Sequence, residues 1–172
     1  ATPVLIGGAA ITVAGIGLGL RALPMERIPV AGMMSAAFFV ASLIHVPVGP
    51  TSVHLILSGL AGMILGWTAF PALFVGLLLQ AVFFGFGGIT VLGVNAANIA
   101  LPAVVIGLLL RSRLATGSPR AAAIWAGIGG GLSISLTTLC VGISLALSGD
   151  EFLPAARLVF VAHVPVMVVE GL

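Results

Sequence analysis

His45 and His54 stand nine positions apart, separated by Val46, Pro47, Val48, Gly49, Pro50, Thr51, Ser52 and Val53. Imidazole nitrogens suit nickel, cobalt, zinc and copper, whereas harder ions prefer oxygen ligands. Two imidazoles this close along the chain point to a site that handles a transition-metal ion, a proton or a small solute. Two nitrogens alone hold a metal weakly, so further nitrogen ligands are required. Each histidine also has a plain structural reading. His54, taken as the start of a helix, can bond a neighbouring loop, and His45, taken as the end of one, can face lipid headgroups.

The remaining polar side chains are few and interrupt apolar sequence: Gln80, Asn95, Asn98 and His163. Asn95 and Asn98 are three apart and share a helix face. Polar groups in lipid must find partners, so these four, with Ser52 and the two histidines, are expected to line one shared cavity toward the outer face. Pro102 is expected to kink the helix there, because its ring disturbs the Asn98 carbonyl four residues back. His163 has a plain reading too, a bond to a neighbouring span. No acid belongs to the cluster, which argues against calcium or magnesium. Glu170 is expected near the inner face, at the interface or against a partner.

Phe84-Gly85-Phe86-Gly87-Gly88-Ile89-Thr90 is glycine-rich. It follows no strand, so it makes a poor dinucleotide motif and reads as a flexible outer loop. The chain has no P-loop and no lysine, so any active transport must draw energy from another subunit or an ion gradient. Cys140 is the only cysteine and implies no disulfide framework.

The elements that must position these residues are membrane spans. Of 172 residues, 60% are hydrophobic and 6% charged, with a mean hydropathy of +1.35. A soluble domain carries about 25% charged residues. The apolar runs are too long for barrel strands. The fold class is therefore an all-α integral membrane protein, a single transmembrane domain over residues 1–172. A span needs about 20 apolar residues. On that rule seven are expected: Val4–Leu20, Val30–His45, Ser52–Phe70, Pro71–Phe86, Val91–Leu110, Ala121–Leu147 and Ala156–Leu172. Pro71 suits a first helical turn. The 24 glycines read mostly as close-packing positions, and 111–120 reads as a linker.

Arginine placement orients the bundle. Arg21 and Arg27 lie in the first loop, and Arg111, Arg113 and Arg120 in the fifth. Arg157 stands opposite, beside Asp150 and Glu151. Positive residues favour the cytoplasm, so the N-terminus is expected outside and the C-terminus inside. The pI near 10.1 reports that orientation and not nucleic-acid binding.

Three stretches resemble a known family: His45-Val46-Pro47-Val48-Gly49-Pro50-Thr51-Ser52-Val53-His54-Leu55, then Leu79-Gln80-Ala81-Val82-Phe83-Phe84-Gly85-Phe86-Gly87-Gly88-Ile89-Thr90, and Leu92-Gly93-Val94-Asn95. The closing Ala162-His163-Val164-Pro165-Val166-Met167-Val168-Val169-Glu170-Gly171 adds to the likeness, which runs from about Met25 to Leu172. The sequence is similar to the CbiM/NikM family, the substrate-binding S components of energy-coupling factor (ECF) ABC transporters for cobalt and nickel. The resemblance implies capture of Co²⁺ or Ni²⁺ from outside by the N-terminal amine, a histidine at position two and a loop-to-helix histidine, here His54. The ion is cargo, and no cofactor is implied. His45 becomes an auxiliary residue. The family's Met-His opening is not in this sequence: either the beginning was disordered or removed, which is the expectation, or this copy is not metal-competent.

The resemblance further implies a transmembrane coupling subunit, two ATPase subunits and, optionally, a small accessory membrane subunit. It implies a multi-pass location in a prokaryotic plasma membrane, and metal fed to cobalamin synthesis or nickel enzymes. The subunit itself is then no enzyme. Two other classes compete. In an intramembrane hydrolase, His54 and Ser58, four apart, would pair with His163 as base, but Ile56 stands where a rhomboid-like motif has glycine. A channel or purely structural subunit lacks support from any ring of charges.

Overall fold

The structure is a computed structural model; it describes residues 1–48 and 51–172, and of residues 45–48 and 51–53 it describes the backbone. The helices are α1 (Thr2–Arg21), α2 (Ile28–Ala41), α3 (Ser58–Leu65), α4 (Ala69–Phe84), α5 (Leu92–Thr116), α6 (Pro119–Ala146) and α7 (Leu153–Glu170). Prolines stand in the first turns of α1, α2, α6 and α7, where the missing N–H costs no helical hydrogen bond. Ser118 caps α6 by accepting the Ala121 N–H at 3.3 Å.

Apolar side chains cover the outside as well as the core. Val13, Leu109 and Val161 are 70%, 67% and 71% exposed. A helix apolar all round belongs in lipid or in a large core, and this molecule is too small for the second. Among the described residues, five segments are long and apolar enough to cross a membrane: Thr2–Arg21, Ser58–Phe84, Leu92–Thr116, Pro119–Ala146 and Asp150–Glu170. Seven spans were expected, the fourth of them short. The difference lies in α2, whose 14 residues reach only about 21 Å, and in the expected third and fourth spans.

The expected helix over 52–70 does not form as one piece. After α2 the chain makes a hairpin, β1 (His45–Val48) antiparallel to β2 (Thr51–His54), with His45 opposite His54 and Val48 opposite Thr51. The local reason is composition. Val46, Val48, Thr51 and Val53 are β-branched and favour pleated backbone, and Pro47 breaks helical hydrogen bonding. Among the described residues this hairpin is the departure from an all-helical bundle, and it makes His54 a strand residue, not the start of a span. Helix α3 is only eight residues long. It meets α4 through a 3-10 turn at Gly66–Thr68, opened by Gly66 at φ +58°, rather than at Phe70-Pro71. The expected linker over 111–120 is largely helical as well: Arg111 and Arg113 belong to α5, and Arg120 to α6.

Helix α5 is the central element, packed by α1, α3, α4 and α6. Buried Phe38, Phe70, Leu73, Val104 and Ile134 fill the core around it. Pro102 lies inside α5 without ending it. The closest approach is to α3, where a β-carbon on Gly62 would overlap the Ala103 carbonyl and one on Gly107 would overlap the Gly62 carbonyl. Without a strong hydrophobic force between helices in lipid, such small residues allow the backbone contact that holds a bundle together.

Candidate metal site at the hairpin

The hairpin register sets His45 directly across from His54. Paired positions in an antiparallel ladder hold their Cα atoms about 4.5–5.5 Å apart. The side chains of His45 and Ser52, both expected site residues, lie outside the described residues. The half-buried His54 ring packs edge-on to Phe38 of α2, with centroids 6.4 Å apart and planes at 82°. Its Nδ1 lies 2.9 Å from the Leu55 carbonyl oxygen. A carbonyl can only accept, so Nδ1 carries the proton and donates. In the neutral ring the lone pair is then on Nε2. A ring N–H tied to a backbone carbonyl is the usual way a metal-ligating histidine is oriented.

Just beyond His54 the chain turns into α3 through Leu57, at φ +50°, the left-handed region that side chains rarely adopt. Here the structure corrects the expectation for Glu170. Its carboxylate is not at the interface or turned to a partner. Oε1 accepts the Ile56 N–H and, at 2.8 Å, the Leu57 N–H. The signal available in sequence was an acid inside an apolar run, which in lipid marks a residue with a definite partner. Where that partner lay, 113 residues away for Leu57, was not readable.

Of the other expected cavity residues, Asn98 and His163 have local hydrogen-bond partners. Asn98 is buried, and its Oδ1 accepts from Ser144 Oγ of α6 at 3.1 Å. Asn95 sits against the glycine-rich loop, its Nδ2 2.5 Å from where a Gly87 β-carbon would be. That loop carries Gly85, Gly87 and Gly88 at φ +69°, +73° and +70°, conformations that require glycine. His163 is buried, and its Nδ1–H donates at 2.8 Å to the Val159 carbonyl of its own helix rather than to a neighbouring span. Gln80 is 2% exposed, and among the described residues its Nε2 has no partner. Ser58 is fully buried and shares a 3.1 Å hydrogen bond with Ser133 Oγ, which occupies the nucleophile of the hydrolase reading. Among the described residues no three His, Cys, Asp or Glu side chains gather as a metal site.

A cavity of about 380 Å³ lies elsewhere, lined by Arg27, Trp67, Gly107 and Arg111 among others. It contains none of the expected site residues. It does bring Arg27 and Arg111, from the two arginine-bearing regions, to one end of the bundle. There Arg27 Nη1 donates to the Ile64 carbonyl at 3.3 Å, and the Arg113 guanidinium stacks on Trp125 with 4.8 Å to the ring centre.

Helices apolar on every face, a few buried polar contacts and one imidazole-bearing hairpin define a multi-pass helical membrane protein. Residues 1–172 match the family described as "CbiM: Cobalt uptake substrate-specific transmembrane region"; the chain belongs to the CbiM family. A Haemophilus influenzae protein named "Putative metal transport protein" is 46% identical over 99% of this chain and 84% of its own length. The Rhodobacter capsulatus "Fused nickel transport protein NikMN" is 33% identical over 86% of this chain, which spans only 44% of that longer protein. A crystal structure of a transition metal transporter superposes with a TM-score of 0.76 at 22% identity, covering 99% of this chain and 83% of the other. At that identity the likeness is one of fold.

Proposed function

We propose that this chain is the metal-capture membrane subunit of an ECF-type ABC importer for cobalt or nickel. The observation that carries the reading is the hairpin that pairs His45 with His54 while the Leu55 carbonyl holds His54 Nδ1–H. That arrangement presents Nε2 as a ligand of intermediate softness, suited to Co²⁺ or Ni²⁺. His45 serves as an auxiliary group. The family resemblance implies that the remaining nitrogens are those of an N-terminal amine and a second-position histidine. The arginine end faces the cytoplasm, so the N-terminus lies outside and the C-terminus on the inner side, in a prokaryotic plasma membrane; the ion reaches the hairpin, whose base meets Glu170 at the end of α7, from the outer face.

Energy comes from partners: a transmembrane coupling subunit, two ATPase subunits and an optional small accessory subunit. The fused relatives from Rhodobacter capsulatus and Lactiplantibacillus plantarum, named as nickel transport proteins, support assembly with further components. The imported ion supplies cobalamin synthesis or nickel enzymes. The test is equilibrium binding of Co²⁺ and Ni²⁺ by the full-length protein and by His54→Ala. A loss of binding in the variant is expected, and equal affinity rejects the assignment. Uptake must also stop without the ATPase partners; flux that persists without them indicates a channel.

A further inference from the structure

Glu170 and His54 bind opposite ends of one peptide group. The unit joining Leu55 to Ile56 gives its carbonyl to His54 Nδ1–H, at 2.9 Å, and its N–H to the Glu170 carboxylate. No peptide bond described is cis, so the carbonyl and N–H of that planar unit point in opposite directions. The three groups therefore lie in sequence: carboxylate, peptide, imidazole. A charged acceptor on the N–H strengthens the carbonyl as an acceptor in turn, because linked hydrogen bonds polarise one another in a low dielectric.

Two features fix the carboxylate in place. The Leu57 N–H donates to the same oxygen at 2.8 Å, so two consecutive backbone N–H groups converge on one carboxylate oxygen. On the other side, the end of α7 lies directly on α6, where a β-carbon on Gly130 would overlap the Glu170 carbonyl oxygen. Gly59 of α3 approaches the same glycine, its β-carbon position 2.8 Å from Gly130 Cα. Three helices thus meet at the corner that follows His54.

We propose that Glu170 is the positioning residue for the metal-facing histidine. Acting through the Leu55–Ile56 peptide group, it fixes the His54 tautomer and polarises the ring. This rests on the assignment of His54 as a ligand made above. The simpler alternative is that Glu170 only caps α3, a favourable place for an anion. A cap would leave the tautomer and the metal affinity as they are.

The experiment uses full-length protein in lipid nanodiscs, with ¹⁵N-histidine spectra of the metal-free form and Co²⁺ titrations followed by absorption. Wild type and Glu170→Gln, which keeps an acceptor oxygen, are expected to show the Nδ1–H form of His54. Glu170→Ala is expected to shift it toward Nε2–H. Losing an outer partner of a metal ligand costs about 10–100-fold in affinity, so Co²⁺ binding is expected to weaken toward the lower figure in Glu170→Gln and the upper in Glu170→Ala. An unchanged tautomer in Glu170→Ala overturns the proposal, even if affinity falls. Should Glu170→Ala not fold, unchanged Co²⁺ affinity in Glu170→Gln overturns it. The spectra need no metal, so they decide the role of Glu170 even if His54→Ala shows that the histidine is not a ligand.

Discussion

His45 lies directly across the hairpin from His54, with Val46 opposite Val53 in the same register. A slip of one residue would send every side chain of a strand to the other face, so this register decides whether the two histidines can act together. Cysteines can test it, since a disulfide needs Cα atoms about 4.4–6.8 Å apart and converging β-carbons. In a Cys140→Ala background, the pair His45→Cys with His54→Cys is expected to close under mild oxidation, as read by loss of titratable thiol. The pair His45→Cys with Val53→Cys is expected to stay reduced, because neighbouring strand positions point to opposite faces.

The sequence marked where a candidate site should be sought, but not its geometry. Two histidines among prolines and valines marked the place. Because the flanks are apolar enough to span a membrane, the β-branched residues between them read as part of a helix end. Strand pairing depends on a partner segment, which hydropathy does not register. The contact between Glu170 and Ile56 spans 114 positions, and no local pattern encodes it. The partners of Asn98 and His163, a hydroxyl on α6 and a carbonyl one turn back, were not readable for a related reason: hydropathy does not say which polar group lies nearest.

Glycine substitutions should divide by what their β-carbons meet. At Gly107 a side chain would press into the α3 backbone, whereas Gly7 and Gly17 of α1 have nothing within 4 Å. Gly107→Val is expected to destabilise the protein by about 1–3 kcal/mol or more, the cost of overpacking. Gly7→Ala and Gly17→Ala are expected to be neutral or to stabilise by up to about 1 kcal/mol through helix propensity. Thermal unfolding midpoints in one detergent check the sign. The reading of the glycines as packing residues holds at Gly62 and Gly107. It does not hold at Gly17, because composition cannot say which face of a helix meets a neighbour.

Thr12 of α1 donates its hydroxyl to the Gly93 carbonyl of α5 at 2.7 Å. Close by, the Gly93 β-carbon position lies 2.8 Å from Ala9 Cα, so the hydrogen bond and the small-residue contact reinforce one another. Thr12→Val keeps the shape and removes the donor. The expected loss is about 0.6 kcal/mol and no more than about 1.7, the range for interhelical hydrogen bonds in membranes. Equilibrium unfolding of wild type and variant in one detergent checks the size of the loss.

Gln80 is buried on α4 with an amide nitrogen that has no partner among the described residues. Leaving such a group unsatisfied costs about 1–3 kcal/mol, so a packing role alone would favour an apolar side chain of similar length. Methionine supplies one. Gln80→Met is expected to raise the unfolding midpoint of the metal-free protein and, at the same time, to weaken Co²⁺ binding. Gains in stability with losses in function are the mark of a polar group held for its site. Calorimetry and metal titration on one preparation separate the two effects. A more stable variant that binds Co²⁺ as well as wild type would place Gln80 outside the path of the ion, and a less stable one would mean that its amide is satisfied by solvent within the bundle.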